Sequence, residues 1–142
     1  DRRALHKVDT PFDERAYLHF SFGAYHGHGE CCWRLGDLAA AGRGCDASTA
    51  RAFSLYRRAF DLESGRIDED RASTGNAALR LARAFELGRG CAQDFRRART
   101  WYRLAAISLG AAFDGGQWHF KRERLEARRG VARMAQEIAG TY

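Results

Sequence analysis

Residues 26–32, His26-Gly27-His28-Gly29-Glu30-Cys31-Cys32, are the densest stretch of coordinating side chains in the chain. Two histidines and two cysteines are the ligand types zinc takes. The spacing matches no standard zinc module, and Cys31 reads more simply as a small buried apolar residue. Metal binding at His26–Cys32 is therefore an alternative, and no cofactor or metal is expected. Cys45 and Cys91 invite a disulfide, but they are equivalent positions of a repeat. Stacked helical hairpins hold such positions about 10 Å apart, whereas a disulfide wants Cα atoms within about 7 Å. Asp68, Glu69 and Asp70 are adjacent carboxylates in a solvated run, and His6, His19 and His119 stand alone. There is no nucleophile elbow, phosphate loop or His-Glu-x-x-His. Without converging titratable groups, the expected protein is not an enzyme.

The elements that must position these residues come from a segment used twice. Gly42-Arg43-Gly44-Cys45, then Arg51-Ala52 and Tyr56-Arg57-Arg58-Ala59, returns as Gly88-Arg89-Gly90-Cys91, Arg97-Ala98 and Tyr102-Arg103-Leu104-Ala105. Gly29, Arg34 and Leu35 return as Gly75, Arg80 and Leu81, all displaced by 46 positions. A fixed displacement over such a span means one structural unit repeated, hence an array.

Helix signals place the units. Thr10 caps a helix that Pro11 opens, running to about Tyr25. Gly29 to about Ala41 is the next, stopped by Gly42 and Gly44. Asp46 or Ser48 caps a third, to about Glu63. Ser64–Thr74 reads as an exposed loop. Gly75–Leu87 and Asp94–Leu109 repeat the pair, with Asp94 as cap. A charged helix over Gln117–Arg129 and a last one over Val131–Ala139 are separated by Gly130. No segment signals a strand.

The 142 residues suit a single domain. Hydrophobic residues at 45% and charged residues at 30% are ordinary for a globular protein. No apolar run approaches the ~18 residues of a membrane span. The net charge is +6, nearly all from arginine, since Lys7 and Lys121 are the only lysines. Arginine suits bidentate contacts at interfaces. Asp1–Asp9 does not look like a secretory signal, and the chain has no initiator methionine, so a leader or other N-terminal segment can be missing. Four free thiols suit a reducing compartment, which favours a cytoplasmic over a periplasmic setting.

The best copy of the unit is Leu81-Ala82, Phe85, Gly88, Gly90, Asp94, Arg97-Ala98, Trp101-Tyr102 and Ala105-Ala106. This pattern resembles the Sel-1-like repeat, a relative of the tetratricopeptide repeat. The first copy keeps Leu35-Gly36 and the glycines but has Leu55-Tyr56 and Ala59-Phe60 in place of the aromatic and alanine pairs. Arg15-Ala16, His19-Phe20 and Gly23-Ala24 form an upstream half-repeat. The family's usual period is shorter than 46, so 64–74 reads as an insertion. The resemblance implies an all-α solenoid of antiparallel helix hairpins. Its units are a half-repeat over about 12–28, repeat one over 29–74, repeat two over 75–110 and a C-terminal cap over 111–142. Gly36 and Ala82 are small so that the paired helix can approach, while Tyr56 and Tyr102 fill the groove between hairpins.

The resemblance also implies a non-enzymatic protein-binding module, such as an adaptor or a bacterial immunity protein that neutralises a toxin. In that family the first helix of each pair lines the concave side. Arg34, Asp37, Arg80 and Arg83 are then expected to project outward and, with Trp33, to bind a protein partner. The insertion 64–74 is a second candidate edge. Polyanion or nucleic-acid binding through Arg122, Arg124, Arg128, Arg129 and Arg133 is the runner-up. Glu123, Glu126 and Glu137 interleave with those arginines and favour a solvated helix with internal ion pairs. Thiol titration of unreduced, unfolded protein should count four free cysteines; two or none would show that bridges form.

Overall fold

The computed structural model describes residues 10–140, which form six α-helices and one 3₁₀ turn and contain no strand. The helices are α1 (Pro11–Tyr25), α2 (Gly29–Ala41), α3 (Thr49–Glu63), α4 (Arg71–Leu87), α5 (Phe95–Asp114) and α6 (Lys121–Ala139), the turn being Trp118–Phe120. Each helix packs antiparallel on its neighbour in sequence, and α4 also touches α2 and α6. These three line one side of the array. We call them the inner helices, and α1, α3 and α5 the outer ones.

The ends of the helices follow from short-range chemistry. Thr10 and Asp13 form a reciprocal capping box at the start of α1. Ser48, Asp70 and Asp94 each accept the N–H three residues on, at 3.1 Å. Gly42 and Gly88 end α2 and α4 in the left-handed region, φ 69° and 66°. The second glycine of each Gly-Arg-Gly turn does a different job. A Cβ on Gly44 would lie 2.6 Å from the Asp13 carbonyl oxygen, and one on Gly90 2.3 Å from that of Thr49. Each turn therefore docks on the first turn of the preceding outer helix. The docking residues Asp13 and Thr49 are 36 positions apart while the glycines are 46 apart. Most of that difference is the longer link 64–70, against 26–28, and the extra first turn of α4, which runs from Arg71 to Leu87 where α2 runs from Gly29 to Ala41.

Side chains from both helix layers join into a continuous core. Cys32, Trp33, Leu35, Tyr56 and Leu81 are buried around the first hairpin, and Leu79, Tyr102, Leu109 and Met134 around the second. Phe53 meets Phe85 edge-on at 5.5 Å, and Phe60 meets Trp101 at 4.8 Å, joining adjacent hairpins. Each large apolar side chain buried this way contributes about 1.5–3 kcal/mol, and no hairpin buries its face alone.

Three elements differ from expectation. Residues 71–74 are not loop: Asp70 caps α4 a full turn early, and Ala72, Ser73 and Thr74 are buried. Gly110 does not stop α5, which runs on to Asp114 because Ala112 continues the buried stripe. Gly130 does not separate two helices. It lies inside α6, where a Cβ would come within 2.5 Å of the Tyr102 ring, so it is a packing site rather than a break. Residues 1–9, the polar start that includes His6 and Lys7, lie outside the described residues, as do 141 and 142 of the cap.

Gly36 has the same role toward Tyr56: a Cβ there would lie 2.5 Å from the ring. Gly36→Leu should destabilise the fold by about 1–3 kcal/mol, the cost of overpacking a tight contact. An unchanged urea midpoint would contradict this contact.

Candidate functional site

The polar wall of the inner side begins at Tyr56. Its ring lies on Gly36, and its hydroxyl donates to Asp37 Oδ1 at 2.7 Å. Burial first, and then the Asp37 carboxylate, push the Tyr56 phenol well above its ordinary pKa, so it stays a donor. Asp37 also accepts from Arg80 Nε at 2.7 Å and Nη2 at 2.8 Å, a bidentate bridge from α2 to α4. Arg80 Nη1 donates to the Asn76 carbonyl and side-chain oxygens, so each guanidinium nitrogen is engaged. Only 14% of the Arg80 side chain is exposed. Its guanidinium carbon lies 4.1 Å from the Trp33 ring centroid.

One unit later the bridge recurs with its charges exchanged. Arg83 Nε donates to Glu126 Oε1 at 2.7 Å, and Arg83 Nη2 to Glu126 Oε2, from α4 to α6. Arg83 is the counterpart of Asp37 and Glu126 of Arg80, each 46 positions on. Beside this rung, Tyr102 donates its hydroxyl to Glu86 Oε1 at 2.5 Å. Arg133 grips the same carboxylate at 2.7 and 2.8 Å. Those Arg133 bonds hold the Glu86 pKa below its ordinary value, with the Tyr102 hydroxyl adding to the effect.

The expectation that Arg34, Asp37, Arg80 and Arg83 project outward, with Trp33 as a further contact residue, therefore needs correction. Trp33 is 3% exposed and donates its indole N–H to Ser73 Oγ at 3.0 Å. Ser73 is there because α4 starts early. Arg80 is locked between Asp37 and Trp33, and Arg83 is held by Glu126. Arg34 stays half-exposed, paired with Glu30 at 3.0 Å and stacked 4.5 Å from the Trp33 ring.

Asp37, Arg80 and Arg83 nonetheless share one cleft, of about 150 Å³, between α2, α3 and α4. Ala52, Phe53 and Ala84 give it an apolar floor, Ala40 and Thr49 stand at its rim, and Arg89 reaches it from the Gly-Arg-Gly turn. Trp33 and Arg34 border a separate groove of about 160 Å³ with Glu30 and His119. Arg89 was not singled out from the sequence, and an internal comparison now marks it. Its counterpart Arg43 bonds Asp13 Oδ1 at 2.9 and 2.6 Å, against the outer helix on which its turn docks. The residue under the second turn is Thr49, which carries no charge. Among the described residues the exposed Arg89 side chain has no partner.

The other sequence candidates are dispersed. The His26 ring packs on Phe22 at 4.4 Å. Cys32, rather than Cys31, is the fully buried thiol, and Cys31 lies half-buried over Gly23. No three His, Cys, Asp or Glu side chains among the described residues group as a metal site. All four cysteines are free. Of the five C-terminal arginines, Arg133 is tied to Glu86 and Arg124 lies 4.8 Å over Phe113, while Arg122, Arg128 and Arg129 are exposed. No helix among the described residues is long and apolar enough to cross a membrane.

The Sel1 repeat family matches residues 29–64 and 75–107, so the chain carries two Sel1 repeats. Sel1 repeats are in general non-catalytic protein–protein interaction modules. A Sel1 repeat protein from Oxalobacter formigenes has a similar crystal structure, with a TM-score of 0.56 at 20% identity. The match covers 87% of this chain and 50% of that one, so this chain spans about half that protein's length and the likeness shows a shared fold. No curated protein matches the chain.

The Glu86 bridge has a pH signature. A carboxylate whose folded pKa is depressed contributes stability above its unfolded pKa and loses it as pH falls through the folded value. Arg133→Gln should therefore lower the melting temperature at pH 7. The gap to wild type should narrow as the pH drops below the ordinary glutamate value of 4.5. A gap that stays constant from pH 7 to pH 3 would show that the bridge does not depend on the charged carboxylate.

Proposed function

We propose that the two Sel1 repeats hold a segment of a partner protein in the cleft between α2, α3 and α4. The observation that carries this reading is Arg89. It is an exposed cation at the rim of an apolar-floored cleft, without the carboxylate its counterpart Arg43 has. A segment presenting an apolar side chain and an acidic group would cover Ala52, Phe53 and Ala84 and supply that carboxylate. Asp37 and Arg83 are the contact residues on the inner wall, with Arg34 further along α2. Trp33 and Arg80 hold the wall in shape. Biologically, this is a non-enzymatic adaptor or an immunity-type inhibitor that works by covering its partner. A packed cleft of this kind tolerates salt, whereas polyanion binding through surface arginines weakens steeply as salt rises.

Charge reversal of Arg80 or Arg83 would break the wall as well as the contact, so the test uses the rim. A photo-crosslinking side chain at exposed Ala40 should capture the partner in cells. The same group at Ser54, on the outer side of α3, should not. Ala40→Arg, which crowds the rim without touching the bridges, should lower partner affinity at least tenfold, about 1.4 kcal/mol, with an unchanged melting temperature. Equal capture at both positions, or capture at Ser54 alone, overturns the assignment.

A further inference from the structure

Inside the array, the outer helix α5 sits in a seat made by the outer helix before it, α3. Trp101 of α5 enters the seat on α3, edge-on to Phe60 at 4.8 Å and with the Arg57 guanidinium 5.5 Å from its ring. Moving 46 positions on, Arg57 becomes Arg103 and Phe60 becomes Ala106. These two, with Ile107, Arg128 and Val131, line an open groove of about 340 Å³ between α5 and α6. Ile107 is 66% exposed. The groove is therefore the terminal counterpart of a helix seat that is filled once within the same molecule.

Two features set it apart from the seat inside the array. Helix α6 runs through position 134, where Gly42 and Gly88 turn α2 and α4 back, and places a buried Met134 there. Arg128 stands at the position of Gly36 and Ala82, the small residues of the inner helices. An uncharged ring entering as Tyr56 does on Gly36 would meet that guanidinium. Arg103 and Arg128 are both exposed, and neither has a partner among the described residues.

We propose that this terminal seat docks one amphipathic helix of a partner protein, bearing an aromatic residue and a carboxylate on the same face. The aromatic ring would lie under Arg103, as Trp101 lies under Arg57, with Ala106 leaving the space that Phe60 fills inside the array. The carboxylate, one turn away, would pair with Arg128. Ile107 and Val131 would be covered by the apolar flank. This surface is separate from the inner cleft, and either can hold if the other fails.

The probes are three labelled alanine-based helical peptides with Trp/Glu, Trp/Lys or Ala/Glu at positions i and i+4, titrated by fluorescence anisotropy. The Trp/Glu peptide should bind the full chain about tenfold more tightly than either control. Arg128→Glu should reverse the preference between the Trp/Glu and Trp/Lys peptides, and Ala106→Arg should abolish binding. The comparison between peptides on the wild-type chain needs no variant to fold. Equal affinities for the three peptides, or no binding at millimolar peptide, overturns the proposal. So does a concentration-dependent oligomer that Ala106→Arg dissolves, since the seat would then belong to a second copy.

Discussion

Everything on the inner side depends on a tyrosine ring resting on a residue that has no side chain. At Gly36 and Gly130 a Cβ would fall about 2.5 Å from Tyr56 and Tyr102 respectively. That close approach brings each phenol hydroxyl onto a carboxylate of an inner helix, Asp37 or Glu86. The carboxylate then orients a guanidinium from the next inner helix, Arg80 or Arg133. In the first case the guanidinium covers the Trp33 ring. Helix spacing, polar bridge and aromatic wall are thus successive consequences of one steric fact. A single added methyl group at Gly36 would disturb all three.

The bridges between inner helices do more for register than for stability. Half-exposed ion pairs are worth about 0.2–1 kcal/mol each, less than one buried leucine. Their order carries the information. The first rung sets an acid on α2 against a base on α4, and the second a base on α4 against an acid on α6. If α6 took the place of α4, Asp37 would face Glu126. Two acids would then share a site built for a bidentate pair. Nearly identical units need such a device, because their apolar faces are interchangeable while their charges are not.

Much of the architecture was legible because it is local or periodic. The caps at Thr10, Ser48 and Asp94 and the stops at Gly42 and Gly88 depend on a few neighbouring residues. The 46-residue displacement needs no structure to be seen. What misled was glycine and charge. Gly110 and Gly130 look like stops, yet a glycine inside a helix can serve the approach of a neighbour, and only the neighbour's position tells the two apart. The run Asp68-Glu69-Asp70 looks like solvated loop. Asp70, followed by Ala72 and Ser73, nonetheless carried the signal of an N-cap. Missing it hid the turn of α4 that brings Ser73 to Trp33. The candidate site was half legible: Asp37, Arg80 and Arg83 do share a cleft, but sequence spacing on one helix face cannot tell an arginine facing solvent from one gripping the next helix.

In a repeat array the positions that hold the fold together are those where the copies agree in their partners. Tyr56 and Tyr102 each find a carboxylate, and Gly29 and Gly75 each receive a side chain of the paired outer helix, Glu63 or Leu109. Such agreement comes from packing, which every unit must solve in the same way. Positions where one copy keeps a residue but loses its partner have no packing reason behind them. Arg43 pins its turn to Asp13, whereas Arg89 keeps the arginine over an uncharged Thr49, although the second turn docks as closely as the first. The turn evidently does not need the ion pair to form. An arginine retained there without it is free to meet a carboxylate from outside the chain, and it stands at the edge of the cleft whose walls the shared packing has already built.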